Sequence, residues 1–321
     1  MNNVLVPAAG RRVELIQAFQ ADLAARLPGA RVFATDMQPE LSPACQVADG
    51  AFRLPSVSDP AYAESLLSLC HDAEVGLVVP TIDTELLLLA RERDRFAAEG
   101  VNLVISDHAL ILNCRDKRRT AALFDEIGVE TPAIYPRDAI RFPAFAKPYD
   151  GSRSIGAVAL MSPEALTPEL LADEKLMFME FVGPDHVEYT VDVYYDRGGA
   201  LRCLVPRQRL EVRSGEVSKG VTRRGALYDE LLPRLSRIKG ARGCLTIQFF
   251  VNHETGACAG IEINPRFGGG FPLSWAAGAH YTAWLIDEYL LDRPVPFYDG
   301  WKSGLVMLRY DAKVLVDDPA V

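Results

Sequence analysis

The feature that most constrains the fold is a change of rhythm about a third of the way along the chain. Up to Ser106, short apolar runs alternate with stretches of helical spacing. Asn3 to Pro7 is apolar. Val13 to Leu27 then places Leu15, Ile16, Phe19, Leu23 and Leu27 on one side, and Pro28-Gly29 stops it. Arg31 to Thr35 reads as a second strand, Tyr62 to Cys70 as a helix and Leu77 to Pro80 as a buried strand. Glu85 to Phe96 is the next helix and Val101 to Ser106 a further strand. Such alternation requires a parallel sheet with helices on its faces, because parallel strands need a crossover between them.

Past Ile111 the pattern differs. Arg115 to Ile127 reads as a helix closed by Gly128. Strand-like segments follow near 144–147, 157–160, 176–182, 187–195, 201–205, 245–251 and 258–264, with helices at 226–238 and 274–291. This is an α+β pattern rich in antiparallel pairing. The expected division is a parallel α/β domain over 1–112, a small lobe over 113–184 and a large lobe over 185–321, with Gly183-Pro184 marking the second break.

Composition narrows the function classes. The 321 residues carry a net charge of −9, which argues against broad nucleic-acid binding and against a basic membrane-surface patch. Aliphatic runs such as Leu86 to Ala90 are too short to span a bilayer, and MNNVLVPAAGRR has no basic n-region or long apolar run. The six cysteines are scattered, without CxxC spacing or clustered histidines. That argues against a disulfide framework or structural zinc and makes a cytoplasmic location the default expectation.

Three segments carry chemistry. In Phe145-Ala146-Lys147-Pro148, a lysine ends a strand. The small residues that follow, Gly151, Ser152, Ser154 and Gly156 among them, let backbone N–H groups close on phosphate oxygens. A hairpin loop with an incidental lysine is the plain alternative. Next, Glu180 closes the strand from Leu176, and Glu180-Phe181-Val182 offers backbone groups suited to the edge of an adenine. In the strand from Val187, Glu188, Thr190 and Asp192 share a face, and Glu188 suits ribose hydroxyls. A solvated acidic face is the alternative there.

The third segment is the most specific. Cys244 to Val251 and Ala257 to Asn264 form a hairpin turning at Asn252 to Gly256. If Asn252 faces Cys258, Gln248 sits opposite Glu262, and Asn264 shares the face. Three oxygen-bearing side chains then converge, a hard donor set suited to Mg²⁺, with Mn²⁺ as a substitute. Pro265-Arg266-Phe267-Gly268-Gly269-Gly270 follows directly, with an arginine for phosphate and glycines for close backbone approach; a buried polar strand end is the plain alternative.

Substrate-side residues are less specific. Asp83 and Glu85 follow a parallel strand and either hold an amine or cap the helix behind them. Arg207, Arg209, Arg213, Lys219, Arg223 and Arg224 form a basic stretch that reads as a loop. Arg209 and Lys219 are its candidates for an anionic substrate, and Gly268 and Gly269 are candidates beside it. The first turn, Pro7-Ala8-Ala9-Gly10-Arg11-Arg12, lacks GxGxxG spacing, which weighs against a nicotinamide dehydrogenase.

On these motifs the chain resembles the ATP-grasp superfamily over nearly its whole length. It is most similar to stand-alone proteins like one synthetase half of the carbamoyl-phosphate synthase large subunit. The resemblance implies a Rossmann-like pre-ATP-grasp domain followed by a two-lobed ATP-grasp fold. It implies ATP phosphates on Lys147 and Lys117, a mobile loop over Gly151 to Gly156, adenine at Glu180 to Val182 and ribose at Glu188. Gln248, Glu262 and Asn264 would ligate magnesium, with Arg266 beside them. The implied activity is that of an ADP-forming carboxylate–amine ligase working through an acyl phosphate, with small-molecule partners and a symmetric dimer as the common assembly for such enzymes. A bicarbonate-activating enzyme and a non-catalytic nucleotide sensor are the rival readings. These 321 residues contain no segment resembling a glutaminase or a second synthetase half, so carbamoyl-phosphate synthesis by this chain alone is not expected.

Overall fold

A computed structural model describes residues 1–151, 155–213 and 215–317. Ser152 and Ser154 of the phosphate loop, and Ser214 of the basic stretch, lie outside the described residues.

The N-terminal sheet is parallel, with β1 (Asn3–Val6), β2 (Val32–Asp36), β3 (Gly50–Arg53), β4 (Val75–Val78) and β5 (Asn102–Leu103) in the order β3-β2-β1-β4-β5. β1 and β4 are buried throughout, as strands covered on both faces must be. The helix Val13–Arg26 buries Leu15, Ile16, Phe19 and Leu23, the expected stripe.

A second sheet pairs β6 (Ile134–Tyr135), β7 (Ala144–Pro148), β8 (Val158–Leu160) and β9 (Leu176–Glu180) in the order β6-β9-β7-β8. It keeps a small core of its own, built on Ala144, Ala146, Leu160, Leu176 and Phe178. The third sheet contains β10 (His186–Tyr195), β11 (Leu201–Arg213), β12 (Glu216–Thr222), β13 (Gly243–Asn252), β14 (Cys258–Asn264) and β15 (Val306–Leu308). Its order is β14-β13-β10-β11-β12-β15, and its pairs are antiparallel. One core joins this sheet to the N-terminal domain, with Phe19 edge-on to Phe267 at 6.2 Å between ring centroids. No helix of the described residues is long and apolar enough to cross a membrane.

Several expectations change. The strand read at Val101 to Ser106 is reduced to Asn102–Leu103. The helix read over Arg115 to Ile127 begins at Lys117, and a further helix, His108–Arg115, precedes it, the two divided at Asp116. The Asp116 side chain caps the second helix by accepting the Arg118 N–H at 2.9 Å. That second helix packs on the third sheet, not within the small lobe. Phe124 meets Phe249 at 5.9 Å, and a Cβ on Gly260 would sit 2.7 Å from the Phe124 ring. The helix read over 274–291 is also two, Phe271–Ala276 and Tyr281–Tyr289, parted around Gly278 at φ 103°.

The largest difference is the basic stretch, which is a strand pair and not a loop. β11 continues to Arg213 and returns as β12. Pro206 argues against a central strand, and the outer half of β11 is solvent-exposed, so no apolar alternation marks it.

Candidate active site

The hairpin β13–β14 places its polar residues through a bulge. Near the turn Val251 pairs with Cys258, one step from the expected register. An irregularity between Gln248 and Phe249 then restores Gln248 opposite Glu262, and Thr246 falls opposite Asn264. Unbroken pairing from the turn would have put Ile261 opposite Gln248, so the bulge re-aims the carboxylate. On the other side of β13, Thr190 pairs with Gln248 and Asp192 with Thr246, while Arg207 of β11 pairs with Thr190. Directly opposed residues project to one side of a sheet. Glu188, Thr190, Gln248, Glu262 and Asn264 therefore share one face.

That face floors a cleft of about 830 Å³, roofed by β7 and β9 and closed at one end by the N-terminal domain. Lys117, Lys147, Gly151 and Glu180 to Val182 line it from the roof. Glu188, Arg209, Gln248, Glu262, Asn264, Arg266, Gly268 and Gly269 line it from the floor, and Asp83 from the end. Gly156, at φ 74°, is not among the lining residues.

The roof brings two lysines toward one carboxylate. Lys117 Nζ donates to the Gly151 carbonyl, which ties the loop to the helix. Burial, and then the charge of Lys117, pull the Lys147 ammonium down to about 8, against the attraction of Glu262. Burial likewise lowers Lys117, again opposed by Glu262. Two half-desolvated ammonium groups with one carboxylate between them leave positive charge for a polyanion to neutralise.

This gives a pH expectation. If Lys147 holds a nucleotide phosphate, as expected from the sequence, the bound phosphate stabilises the protonated form and raises the pKa above the free value of about 8. Nucleotide affinity is therefore full below about pH 8 and falls toward tenfold per unit above it. Binding at pH 8–9 takes up a proton. Calorimetry of ADP binding in buffers of different ionisation enthalpy measures that uptake, and Lys147→Met should abolish it.

Glu188 is held by Arg209 across the sheet, an ion pair. Burial pushes the Glu188 carboxyl up while Arg209 opposes it. Arg209 Nη2 also donates to the Gly215 carbonyl at 3.2 Å, and its buried Nε has no acceptor among the described residues. An N–H is thus left over beside the carboxylate. At the opposite wall β9 ends at Glu180, so the amides of Phe181 and Val182 leave the strand ladder at the edge of the cleft.

Arg266 does not face the cleft as a free cation. Its Nε and Nη2 grip Asp83 at 3.1 and 2.8 Å, and Nη2 also reaches Asn264 Oδ1 at 3.2 Å. Asp83 is therefore a clamp on Arg266 and not an open amine site. Glu85 is corrected more fully. It is 0% exposed, and its carboxylate accepts from the Thr81 N–H at 2.8 Å, the Ile82 N–H at 3.2 Å and the Tyr62 hydroxyl at 2.9 Å. It caps its helix and touches no ligand space. Lys219 is also corrected. It lies outside the cleft lining, and its Nζ bonds Glu211 at 2.6 Å across β11–β12.

The glycines after Arg266 allow close packing. A Cβ on Gly268 would lie 2.8 Å from Thr246 Oγ1, and one on Gly270 would lie 2.2 Å from Arg207 Nη1. Sequence reasoning assigned nothing to Arg11 and Arg12, which reach the cleft from the turn after β1. Their signal in the sequence is the Arg11-Arg12 pair itself, in the turn that ends a parallel strand.

The hairpin fits a magnesium ion in its donor chemistry. Glu262 supplies a carboxylate, and Gln248 and Asn264 supply amide oxygens on the same face. Asn264 Nδ2 donates to Glu262 Oε1 at 2.9 Å, which orients the pair. Among the described residues no group of three or more His, Cys, Asp or Glu side chains is placed to hold a metal. A divalent ion here must take its remaining ligands from phosphate and water, the usual habit of magnesium.

Two family models match the chain. Residues 4–104 match a PylC-like N-terminal domain, and residues 172–306 match an ATP-grasp domain described from a biosynthetic pathway with a Ter operon. No curated protein matches the sequence. Solved structures share the fold at low identity. The biotin carboxylase domain of 2-oxoglutarate carboxylase from Hydrogenobacter thermophilus, solved with MgADP, ADP and bicarbonate, has a TM-score of 0.73 at 15% identity, over 95% of this chain and 73% of that one. N5-carboxyaminoimidazole synthetase from Staphylococcus aureus, complexed with ADP, has 0.69 at 14%, over 92% and 78%. The L-amino acid ligase from Bacillus licheniformis has 0.65 at 17%, over 90% and 74%.

Proposed function

Because the chain belongs to the ATP-grasp superfamily of ATP-dependent ligases, with a PylC-like domain ahead of its ATP-grasp domain, we propose that it joins a small carboxylate to an amine, forming ADP and phosphate. The observation that carries this reading is the opposition of Lys117 and Lys147 to the Gln248–Glu262–Asn264 face across one cleft. A triphosphate with its metal neutralises both sides of that arrangement.

In this reading the adenine lies against Glu180 to Val182 and the ribose against Glu188, with the orphan Arg209 N–H beside it. Lys117 and Lys147 hold the phosphates, and the bond from Lys117 to the Gly151 carbonyl fixes the start of the loop beside them. Gln248, Glu262 and Asn264 would hold magnesium, which when bound offsets charge developing on the transferred phosphoryl group. Arg266 adds fixed positive charge, its orientation set by Asp83.

A carboxylate oxygen of the substrate attacks the γ-phosphorus, and the bond to the β–γ bridging oxygen breaks, releasing ADP. The amine nitrogen then attacks the acyl carbon, and the bond to the phosphate oxygen breaks. The proton lost by the amine leaves with phosphate or water. The lid loop excludes water from the acyl phosphate.

A screen of amino acids and other carboxylates paired with amines, scored by phosphate release, tests the proposal. ADP and phosphate formed only when acid and amine are both present is the expected result. AMP and pyrophosphate would contradict the acyl-phosphate route. ADP formation driven by bicarbonate would favour a bicarbonate-activating enzyme, and ADP binding without turnover for any acid would favour a sensor.

A further inference from the structure

The crevice outside the C-terminal ends of β1 and β4 carries a charge that the nucleotide site does not use. These strands are neighbours from which the chain winds in opposite directions across the sheet, the position where open parallel sheets take ligands. Arg11 and Arg12 enter after β1, and Thr81 to Asp83 after β4. Both groups line the same cleft as Arg266 and Glu216.

Within this group the charges pair off with one exception. Asp83 is taken by Arg266. Glu216 is held by Arg309 at 3.0 Å and faces Arg11 at 3.9 Å. Glu85 is buried and saturated by Thr81, Ile82 and Tyr62. Arg12 donates one bond, from Nη2 to the Thr81 carbonyl at 2.9 Å. Among the described residues no carboxylate lies within ion-pair distance of it. Burial, and then the nearby charge of Arg266, draw its pKa down to about 10, which still leaves it charged near neutrality.

We infer that Arg12 anchors a carboxylate of the acid substrate at this crevice, and that the acid presents no ammonium group there. This rests on the ligase reading above. An ammonium would need a free carboxylate, and Asp83, Glu85 and Glu216 are all engaged. A phosphate would need a cradle of backbone N–H groups. In this turn the Ala9 N–H is spent on the Thr35 carbonyl at 3.0 Å, the Gly10 N–H on Asp36 at 3.3 Å and the Arg12 N–H on the Ala9 carbonyl at 3.0 Å. The Ala8 and Arg11 N–H groups have no acceptor among the described residues, too few for such a cradle. The main donor left is the planar guanidinium fork, which pairs with a carboxylate through two parallel bonds; inorganic phosphate, which the fork also fits, is the control. Arg266 connects the crevice to the proposed metal site, since its Nη2 reaches both Asp83 and Asn264.

The test is calorimetry on the full chain saturated with ADP and Mg²⁺. The probes are the amino acids, short dicarboxylic acids and bicarbonate, with their amides where these exist, and inorganic phosphate. The expected binder is a free acid whose amide is at least about tenfold weaker. Arg12→Gln, which keeps a donor for the Thr81 carbonyl but removes the charge, should weaken that acid by about 10- to 100-fold. Its ADP·Mg²⁺ affinity should stay within about twofold, and Arg12→Lys should recover part of the loss. Equal binding of the acid by Arg12→Gln, equal binding of the amide or of phosphate by the unmodified chain, or no binding by any acid would overturn the assignment. Absence of ADP·Mg²⁺ binding to the unmodified chain is read separately and counts against the nucleotide reading.

Discussion

Glu262→Ala is expected to lower ATP turnover by at least about 10³-fold while the protein stays folded. Glu262 stands opposite Gln248 at the bulge, accepts from Asn264 at 2.9 Å, and is the carboxylate toward which Lys117 and Lys147 are drawn. In the proposed reading its removal would take the sole negative ligand from the donor set and leave a bound metal without its charged anchor. The residue is only partly buried and lies outside the apolar core. The unfolding midpoint should therefore move little, by an amount equivalent to about 1 kcal/mol or less. Gln248→Ala removes a neutral oxygen and should cost less. Phosphate release and thermal unfolding measured on the same preparations separate the two effects. Wild-type turnover in the alanine variant would sink the assignment of the hairpin as the metal site.

The largest expected loss of stability lies directly beneath that site. Asp192 and Arg207 are 0% and 1% exposed and meet through two bonds of 2.8 and 2.9 Å. Asp192 also accepts from the Ser274 hydroxyl at 2.6 Å and the Thr246 hydroxyl at 3.3 Å, and its carbonyl accepts from the Tyr281 hydroxyl at 3.0 Å. Arg207→Met leaves this carboxylate buried without its cation. A loss of about 3–5 kcal/mol follows, because an uncompensated buried charge is far costlier than a buried pair is favourable. Urea denaturation should show it as a lower midpoint. The double variant Arg207→Met with Asp192→Asn should recover part of the loss, because the orphan charge is gone. If the double variant is no more stable than the single one, the ion pair is not the cause.

Glu188, Thr190 and Asp192 show how far linear periodicity reaches. Their period of two correctly places them on one face, yet they do different work. Glu188 borders the cleft with Arg209, whereas Asp192 lies in the interior on Arg207. Nothing local separates these two acidic residues, because burial is set by what the next layer places over each strand position. The same limit explains Glu85. Its position three residues after Ile82 is that of a helix cap, but only packing shows that Tyr62 completes its bonding and closes it from the cleft. Lys219, a cation beside Gly220, reads locally as an anion contact. Its strand, hidden by Pro206 and by exposed charge, turns it onto Glu211.

The hairpin best divides what the sequence determined from what tertiary structure decided. Alternation, turn residues and the Gln248, Glu262 and Asn264 oxygens were readable locally, because strand period and donor chemistry belong to the residues themselves. So were the parallel N-terminal sheet, the antiparallel remainder and the family. The tertiary structure alone decided which register brings Gln248 and Glu262 together, since a bulge is a choice between pairings of nearly equal local energy. It alone set Asp83 on Arg266 across 183 positions of chain and left Arg12 without a carboxylate. Charge balance in a cleft depends on distances through space, and those exist only after distant segments have packed.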